Sequence, residues 1–171
     1  MFRALCQSIA ERIPSQCAIC HRWPTAPLCD DCVAQFAQPC MRCPTCAIPL
    51  GTPQPCPSCL RTPPPLDACL AGLHYAYPWS GLIIQFKFHS QPGWARHFAA
   101  LLRSVPWVEP ALEQADLVLP MPLSAERLRM RGFNQSLELA RHLAPDKLAR
   151  ALLLRIRDNP PQSTLDRQAR L

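Results

Sequence analysis

The chain of 171 residues is long enough for one ordinary domain or two small ones. Its net charge of +6 lies mainly in residues 73–171, where thirteen Lys and Arg stand against eight Asp and Glu. This surplus favours anionic partners such as nucleic acid or phosphorylated small molecules, although an ordinary basic surface has the same composition. No segment approaches the roughly 20 apolar residues that cross a bilayer, which argues against membrane insertion.

The first residues indicate the compartment and a short helix. They contain no uninterrupted apolar run of signal-peptide length, so we expect a cytoplasmic protein whose thiols stay reduced. Phe2, Leu5, Ile9 and Ile13 follow one another at spacings of three and four. This spacing predicts an amphipathic helix within residues 1–16.

All eleven cysteines precede residue 70, and eight of them form four Cys-x-x-Cys knuckles. One such turn presents two thiolates to a tetrahedral ion, and a second turn completes the site. The pattern therefore predicts a double zinc ribbon over residues 17–59 with two structural Zn²⁺ ions. The expected ligands are Cys17, Cys20, Cys29 and Cys32 for one ion and Cys43, Cys46, Cys56 and Cys59 for the other.

Three alternatives accompany this prediction. Cys40 lies three residues before Cys43, so the third knuckle has two possible registers, and the spacing of the first ribbon favours Cys43 with Cys46. Cross-braced pairing of alternate knuckles also satisfies the pattern. Redox chemistry is disfavoured because a redox Cys-x-x-Cys motif usually stands alone at a helix start.

Residues 60–66 contain three consecutive prolines and predict a stiff linker, followed by a body over residues 67–171. In that body, residues 68–77 and 116–119 have the character of strands, the latter buried and ending sharply at proline. Residues 94–103 and a short turn over 109–115 indicate helices, whereas residues 81–88 suit either structure. A further helix follows residue 132, with Asn134 as its cap. Strand, polar loop and helix in this order predict an α/β body.

The polar segment between residues 123 and 136 is the most informative part of the body. It follows the end of a predicted strand, where α/β folds place ligands, and it precedes a helix start. In an extended loop, alternate residues point the same way, so three arginines could converge on one polyanion. A solvated charged loop is the alternative. The predicted anion site consists of Arg127, Arg129, Arg131, Gly132, Asn134 and Gln135.

The run Pro-Met-Pro-Leu over 120–123, followed by Arg-Gly-Phe-Asn-Gln-Ser over 131–136, closely resembles the ComF family of competence-protein-F or GntX-like proteins. The cysteine knuckles, the triple proline and the segments 82–88 and 155–165 extend the resemblance over essentially the whole chain. The resemblance implies a double zinc ribbon on a type I phosphoribosyltransferase-like α/β domain, linked to DNA uptake or utilisation. By similarity, residues 120–122 match the pyrophosphate-side loop and residues 155–170 match a mobile loop.

The chain departs from the family pattern at its end. Family members continue into a further strand with an acidic pair and a Thr-Thr-Gly phosphate loop, and neither motif occurs before Leu171. We therefore expect an incomplete, C-terminally truncated transferase-like domain that is not catalytic by itself. Phosphoribosyl diphosphate is expected to bind only to a full-length form.

Two functions of different class follow. One is a phosphoribosyltransferase relative that is active only with the missing part, and the sequence leaves its catalytic residues and acceptor unassigned. The other is a non-enzymatic zinc-ribbon adaptor that binds single-stranded DNA or a helicase-like DNA-uptake partner. The five histidines show no metal-binding spacing and are interpreted as structural or surface residues.

Overall fold

The computed structural model describes residues 15–158, and the helix predicted within residues 1–16 lies almost entirely outside them. Secondary structure in the described residues is mainly helical, with three isolated β-bridges and no strand ladder. The α/β class of the body therefore stays a prediction. The helices are α1 (Asp30–Phe36), α2 (Pro57–Arg61), α3 (Trp79–Phe88), α4 (Trp94–Arg103), α5 (Val108–Gln114), α6 (Ala125–Arg131) and α7 (Gln135–Leu143), followed by a 3-10 turn over Pro145–Lys147.

Two compact units make up the described chain. The first comprises residues 15–82 with Ala100–Ala111, and the second comprises Ile83–Ala99 with residues 112–158. The predicted linker, residues 60–66, lies within the first unit, where α2 takes in its first two residues. The domain limits drawn from the sequence stay a prediction.

The first unit is built around two groups of buried cysteines and one buried tryptophan. Ile19 and Phe36 pack against the first cysteine group, and Leu50 packs against the second. Trp79 is only 1% exposed, and its indole N–H donates to the backbone oxygen of Phe36. Residues 17–59 of this unit have few large buried aliphatic side chains, so the cysteine groups supply much of the interior there.

Aromatic side chains organise the second unit. The ring of Phe86 lies 5.6 Å, centroid to centroid, from both Phe98 and Phe133, and Trp94 lies 5.9 Å from Phe98. Phe86 and Phe98 are buried, so α3, α4 and the connection between α6 and α7 share one apolar cluster. This cluster holds α3 in a fixed position beside the segment that carries the arginines.

A parallel bridge joins Val118 to Leu148 in the same unit. The N–H of Val118 donates to the oxygen of Lys147, and the N–H of Ala149 donates to the oxygen of Val118. The ammonium group of Lys147 also donates to the carbonyl oxygens of Leu112 and Glu113, near the end of α5. Helix carbonyls that lack a partner within the helix are therefore satisfied by this lysine.

Several predicted elements agree with the structure. The helix predicted over 94–103 has the observed limits of α4, the turn over 109–115 is α5, and the helix after residue 132 is α7. The ambiguous residues 81–88 belong to helix α3.

Two strand predictions were wrong. Residues 68–77 form no strand, because their backbone makes isolated hydrogen bonds and no ladder, and Gly72 lies against Leu102 and Val105. Residues 116–119 make a single bridge and are not buried, since Leu117 and Leu119 are 53% and 40% exposed.

Candidate functional site

The first knuckle is a tight turn that begins at Cys17. The N–H of His21 donates to the oxygen of Cys17 at 2.9 Å, and the N–H of Cys17 donates to the oxygen of Arg22 at 3.0 Å. His21 has a positive φ of 59°, which lets the chain reverse immediately after Cys20. A bridge between Ser15 and Thr25 closes the base of this turn.

The second pair of cysteines in this group comes from the start of a helix. Cys29 is the N-cap of α1, and Cys32 lies one turn later, so both thiols project from the same end of the helix. The sulfur of Cys17 lies 3.9 Å from that of Cys32, and the sulfur of Cys20 lies 3.6 Å from that of Cys29. Turn and helix thus bring four sulfurs into one cluster.

The second group repeats this design. The N–H of Ala47 donates to the oxygen of Cys43 at 2.8 Å, and Ala47 has the same φ of 59° as His21. Cys56 is the N-cap of α2, and its sulfur lies 3.8 Å from that of Cys46. The two groups are therefore two copies of one knuckle-and-helix unit.

The sulfur spacing fits tetrahedral zinc. Zn–S bonds of about 2.3 Å place the sulfurs of a regular tetrahedron roughly 3.8 Å apart. In each group all four sulfurs lie within 4.8 Å of one another, and three of the four are buried. A disulfide would need an S–S distance of about 2.05 Å, which the measured separations exclude. Each group can hold one Zn²⁺ ion with no coordination position left open for substrate.

The thiol pKa values show why the groups favour a cation. Burial by itself raises the pKa of the Cys17 thiol, but backbone N–H groups, chiefly those of Cys20 and Cys29, outweigh it and lower the pKa to about 6. Burial and the neighbouring thiols raise the pKa of Cys32 to about 12. Cys43 and Cys59 repeat this contrast at about 6 and about 12. Four thiolates in one cluster therefore need a positive ion among them.

The structure brings the eight predicted ligands together in two groups, each of which could hold one zinc ion. The groups are sequential, with Cys17, Cys20, Cys29 and Cys32 in one and Cys43, Cys46, Cys56 and Cys59 in the other. This arrangement excludes the cross-braced alternative and places Cys40 outside both groups. Cys69 is also outside them, although its N–H donates to the oxygen of Pro44 in the third knuckle.

The extended arginine loop predicted from the sequence was wrong, because residues 125–131 are helix α6. Ser124 caps this helix by accepting from the N–H of Arg127, and the segment that follows consists of strong helix formers. Arg127 and Arg131 are four residues apart and share one face of α6. Arg129 lies on another face and is exposed, so the three guanidinium groups do not converge as they would in a strand.

Each arginine of the shared face has an identified neighbour. Arg127 lies 3.5 Å from a carboxylate oxygen of Asp158, whose pKa is lowered first by a hydrogen bond from Ser124 and then by the charge of Arg127. Arg131 lies over the ring of Phe88, with 4.8 Å between its guanidinium carbon and the ring centroid. The sequence analysis did not single out Ser124, Asp158 or Phe88. A serine directly before a run of helix-forming residues is a helix-capping pattern that could have indicated Ser124.

The remaining predicted anion-site residues connect α6 to α7. Gly132 ends α6 with a φ of 76°, a left-handed conformation that suits glycine. The side chain of Asn134 accepts from the N–H groups of Ser136 and Leu137, and its amide donates to the oxygen of Met121 at 3.0 Å. Gln135 begins α7, and its side-chain oxygen is buried without a hydrogen-bond partner among the described residues.

Paired four-cysteine groups on knuckles are the defining feature of a zinc-ribbon protein. In sequence, the chain is similar to the DNA utilization protein YhgH of Salmonella typhi, with 34% identity over 140 residues that cover 77% of this chain and 61% of that protein. The protein of the same name from Escherichia coli (strain K12) is 31% identical over 137 residues, which cover 72% of this chain and 58% of that protein.

The matched region spans about three fifths of the length of these relatives. No family model matches the chain, and no solved structure matches it. Among the described helices, none has the length and apolar character needed to cross a membrane.

Proposed function

We propose that this chain is a ComF-family protein that acts in DNA uptake or utilisation in the cytoplasm. The observation that carries the proposal is the similarity over 140 residues to relatives named for DNA utilisation. The two four-cysteine groups of this chain support it. Zinc–thiolate sites require reduced cysteines, which is consistent with a reducing compartment. The zinc ions stabilise the first unit, and the basic second unit contacts nucleic acid.

The charge of the second unit favours this division of roles. Its described residues contain ten Lys and Arg against six Asp and Glu, whereas the described first unit contains four of each. We propose that Arg127, Arg129 and Arg131 bind the phosphate backbone of single-stranded DNA, with Gly132, Asn134 and Gln135 at the adjoining helix start. The Asp158 carboxylate beside Arg127 supports the choice, because this position already accommodates an anion.

A phosphoribosyltransferase-like body is the second candidate function. It is favoured by the parallel bridge between Val118 and Leu148, since α6 and α7 connect the two bridged segments as helices connect parallel strands. In this proposal phosphoribosyl diphosphate binds a longer form of the protein.

The test is a titration of the zinc-loaded chain with a fluorescent oligothymidylate at several salt concentrations, followed by anisotropy. Each phosphate contact on a single strand adds about 0.7 to the salt slope, so replacing all three arginines by alanine should lower the slope by about 2. The control variant Arg22→Ala/Arg61→Ala/Arg103→Ala loses the same charge in the first unit. Equal binding by both variants would refute the arginine site. Tight phosphoribosyl diphosphate binding by the wild-type chain would instead favour the transferase.

A further inference from the structure

Phe88 is an aromatic residue on the surface of the second unit. It is the last residue of α3, and 60% of it is exposed. Phe86, two positions earlier, points into the aromatic cluster with Phe98 and Phe133 and is 5% exposed. Because residues two apart on a helix point in different directions, burial of Phe86 holds Phe88 outward on a rigid support.

Arg131 makes this exposed ring part of the basic surface. Its guanidinium carbon lies 4.8 Å from the centroid of the Phe88 ring, within the range of a cation–π contact. The Phe88 ring offers a flat apolar face, and the guanidinium group beside it carries a positive charge. Arginine is suited to this role, because it stacks on aromatic rings and remains charged.

Arg127 adds a second positive charge near the pair. Partial burial lowers the pKa of Arg131, and repulsion from the nearby guanidinium group of Arg127 lowers it further. A polyanion beside them would relieve that repulsion. Lys87 precedes Phe88, and Arg129 is exposed on α6. An exposed ring within a basic surface is the combination that proteins use to bind single strands by base stacking and phosphate contact.

We propose that Phe88 and Arg131 form a stacking platform for an unpaired base of single-stranded DNA, while the neighbouring arginines contact its phosphates. This inference rests on the proposed function and specifies how the strand is recognised. Duplex DNA keeps the faces of its bases inside the stack, so it could use only the phosphate contacts. The second unit should therefore prefer single strands to duplexes.

The experiment uses the zinc-loaded full chain and two fluorescent probes of equal length, about 16 nucleotides, one an oligothymidylate and the other an abasic strand. The probes carry the same phosphates and differ only in their bases. Wild type should bind the oligothymidylate at least about five-fold more tightly than the abasic strand, the lower limit for one stacked base. Phe88→Ala and Phe88→Leu should lose this preference, whereas Phe88→Trp should keep it.

Two further variants separate stacking from charge and from general surface effects. Arg131→Lys keeps the charge but removes the planar group, so it should weaken base preference while preserving the salt slope. Tyr75→Ala removes a 69% exposed ring from the first unit and should change neither quantity. Zinc content and circular dichroism of each variant confirm that folding is intact.

The outcomes distinguish this inference from the proposed function. Equal affinity of wild type for both probes, with Phe88→Ala unchanged, would overturn the stacking platform and leave phosphate binding in place. Absence of binding to either probe would overturn both. A base preference that survives in Phe88→Ala would show that another surface reads the base and would also overturn the platform.

Discussion

The indole N–H of Trp79 donates a hydrogen bond of 2.9 Å to the carbonyl oxygen of Phe36, 43 residues earlier in the chain. Trp79 is 1% exposed, and Phe36 packs against the first cysteine group. The ring of Tyr77 also meets the ring of Phe36 edge-on, at 5.7 Å. Residues that follow the triple proline therefore support the first cysteine group through Phe36.

This contact predicts the effect of Trp79→Phe. The variant removes the indole donor and leaves the partly buried oxygen of Phe36 without this hydrogen bond, which costs about 1 kcal/mol. We expect a lower thermal midpoint at a fixed zinc concentration. Trp23→Phe, at a site 61% exposed, should change stability by less than about 0.5 kcal/mol. Equal midpoints for the two variants would contradict a structural role for the Trp79 bond.

The sequence predicted the arrangement of the cysteines well and the conformation of the arginine segment poorly. Because the short spacing of a Cys-x-x-Cys turn limits where its two sulfurs can lie, the sequence predicted which eight cysteines gather in two groups. Alternating arginines carry no such constraint. Ser124 followed by Ala, Glu, Arg, Leu and Met favours a helix by capping and propensity, which outweighs the alternation.

Tertiary contacts decided the elements that the sequence did not predict. Residues 68–77 contain apolar and aromatic residues typical of a strand, but Gly72 lies closely against Leu102 and Val105 of the first unit. Asp158 lies 31 residues after Arg127, and no local pattern pairs them. Contacts of this kind, between residues far apart in sequence, can be identified only from the three-dimensional structure.

Gly72 provides a second prediction. A Cβ atom at this position would stand 2.8 Å from Cδ2 of Leu102 and 3.2 Å from Cγ2 of Val105. Because the partly exposed Leu102 side chain can turn aside, Gly72→Ala should destabilise by about 1 kcal/mol, the low end of the cost of overpacking. Gly81→Ala is the matched control with the opposite sign. Gly81 lies in α3 with nothing within 4 Å of its Cβ position, so alanine should stabilise by about 0.5–1 kcal/mol. Thermal unfolding at fixed zinc measures both. A neutral Gly72→Ala would refute the close packing.

Metal content gives the third prediction. Because the two groups share no ligand, Cys17→Ser and Cys43→Ser should each lose one of two zinc ions, and the double variant should lose both. Cys40→Ser should retain two, since Cys40 belongs to neither group. Colorimetric zinc release from chromatographed protein provides the count. Loss of zinc from Cys40→Ser would show that the alternative register is used.

Removal of the metal should unfold the first unit. Residues 17–59 bury almost no apolar side chain other than the cysteines, and Trp79 bonds to Phe36 beside the first group, so a chelator should expose Trp79 and shift the fluorescence of that residue to longer wavelength. The difference between the spectra of wild type and Trp79→Phe gives the contribution of Trp79 to the fluorescence. Full retention of the spectrum after both zinc ions have been removed would show that the unit folds without metal.

Asp158 gives the last prediction, which tests the proposed anion site. Its carboxylate lies 3.5 Å from Arg127, where it would compete with the phosphate group of the proposed site. Asp158→Asn should therefore bind oligothymidylate about two- to five-fold more tightly, as expected for the loss of a partly exposed ion pair. Asp116→Asn removes the same charge from an exposed position in the second unit and serves as the control.

The pKa of Asp158 fixes the pH dependence of this effect. A hydrogen bond from Ser124, and then the charge of Arg127, hold the pKa below its ordinary value, so the carboxylate is ionised in the folded protein at neutral pH. Its ion pair is fully present above the ordinary value of about 3.9 and is lost only as the pH falls through the lower folded value. The affinity ratio of Asp158→Asn to wild type should therefore stay constant between about pH 6 and pH 8. A ratio equal to that of Asp116→Asn would show that Asp158 acts only through net charge, and that phosphate does not bind beside Arg127.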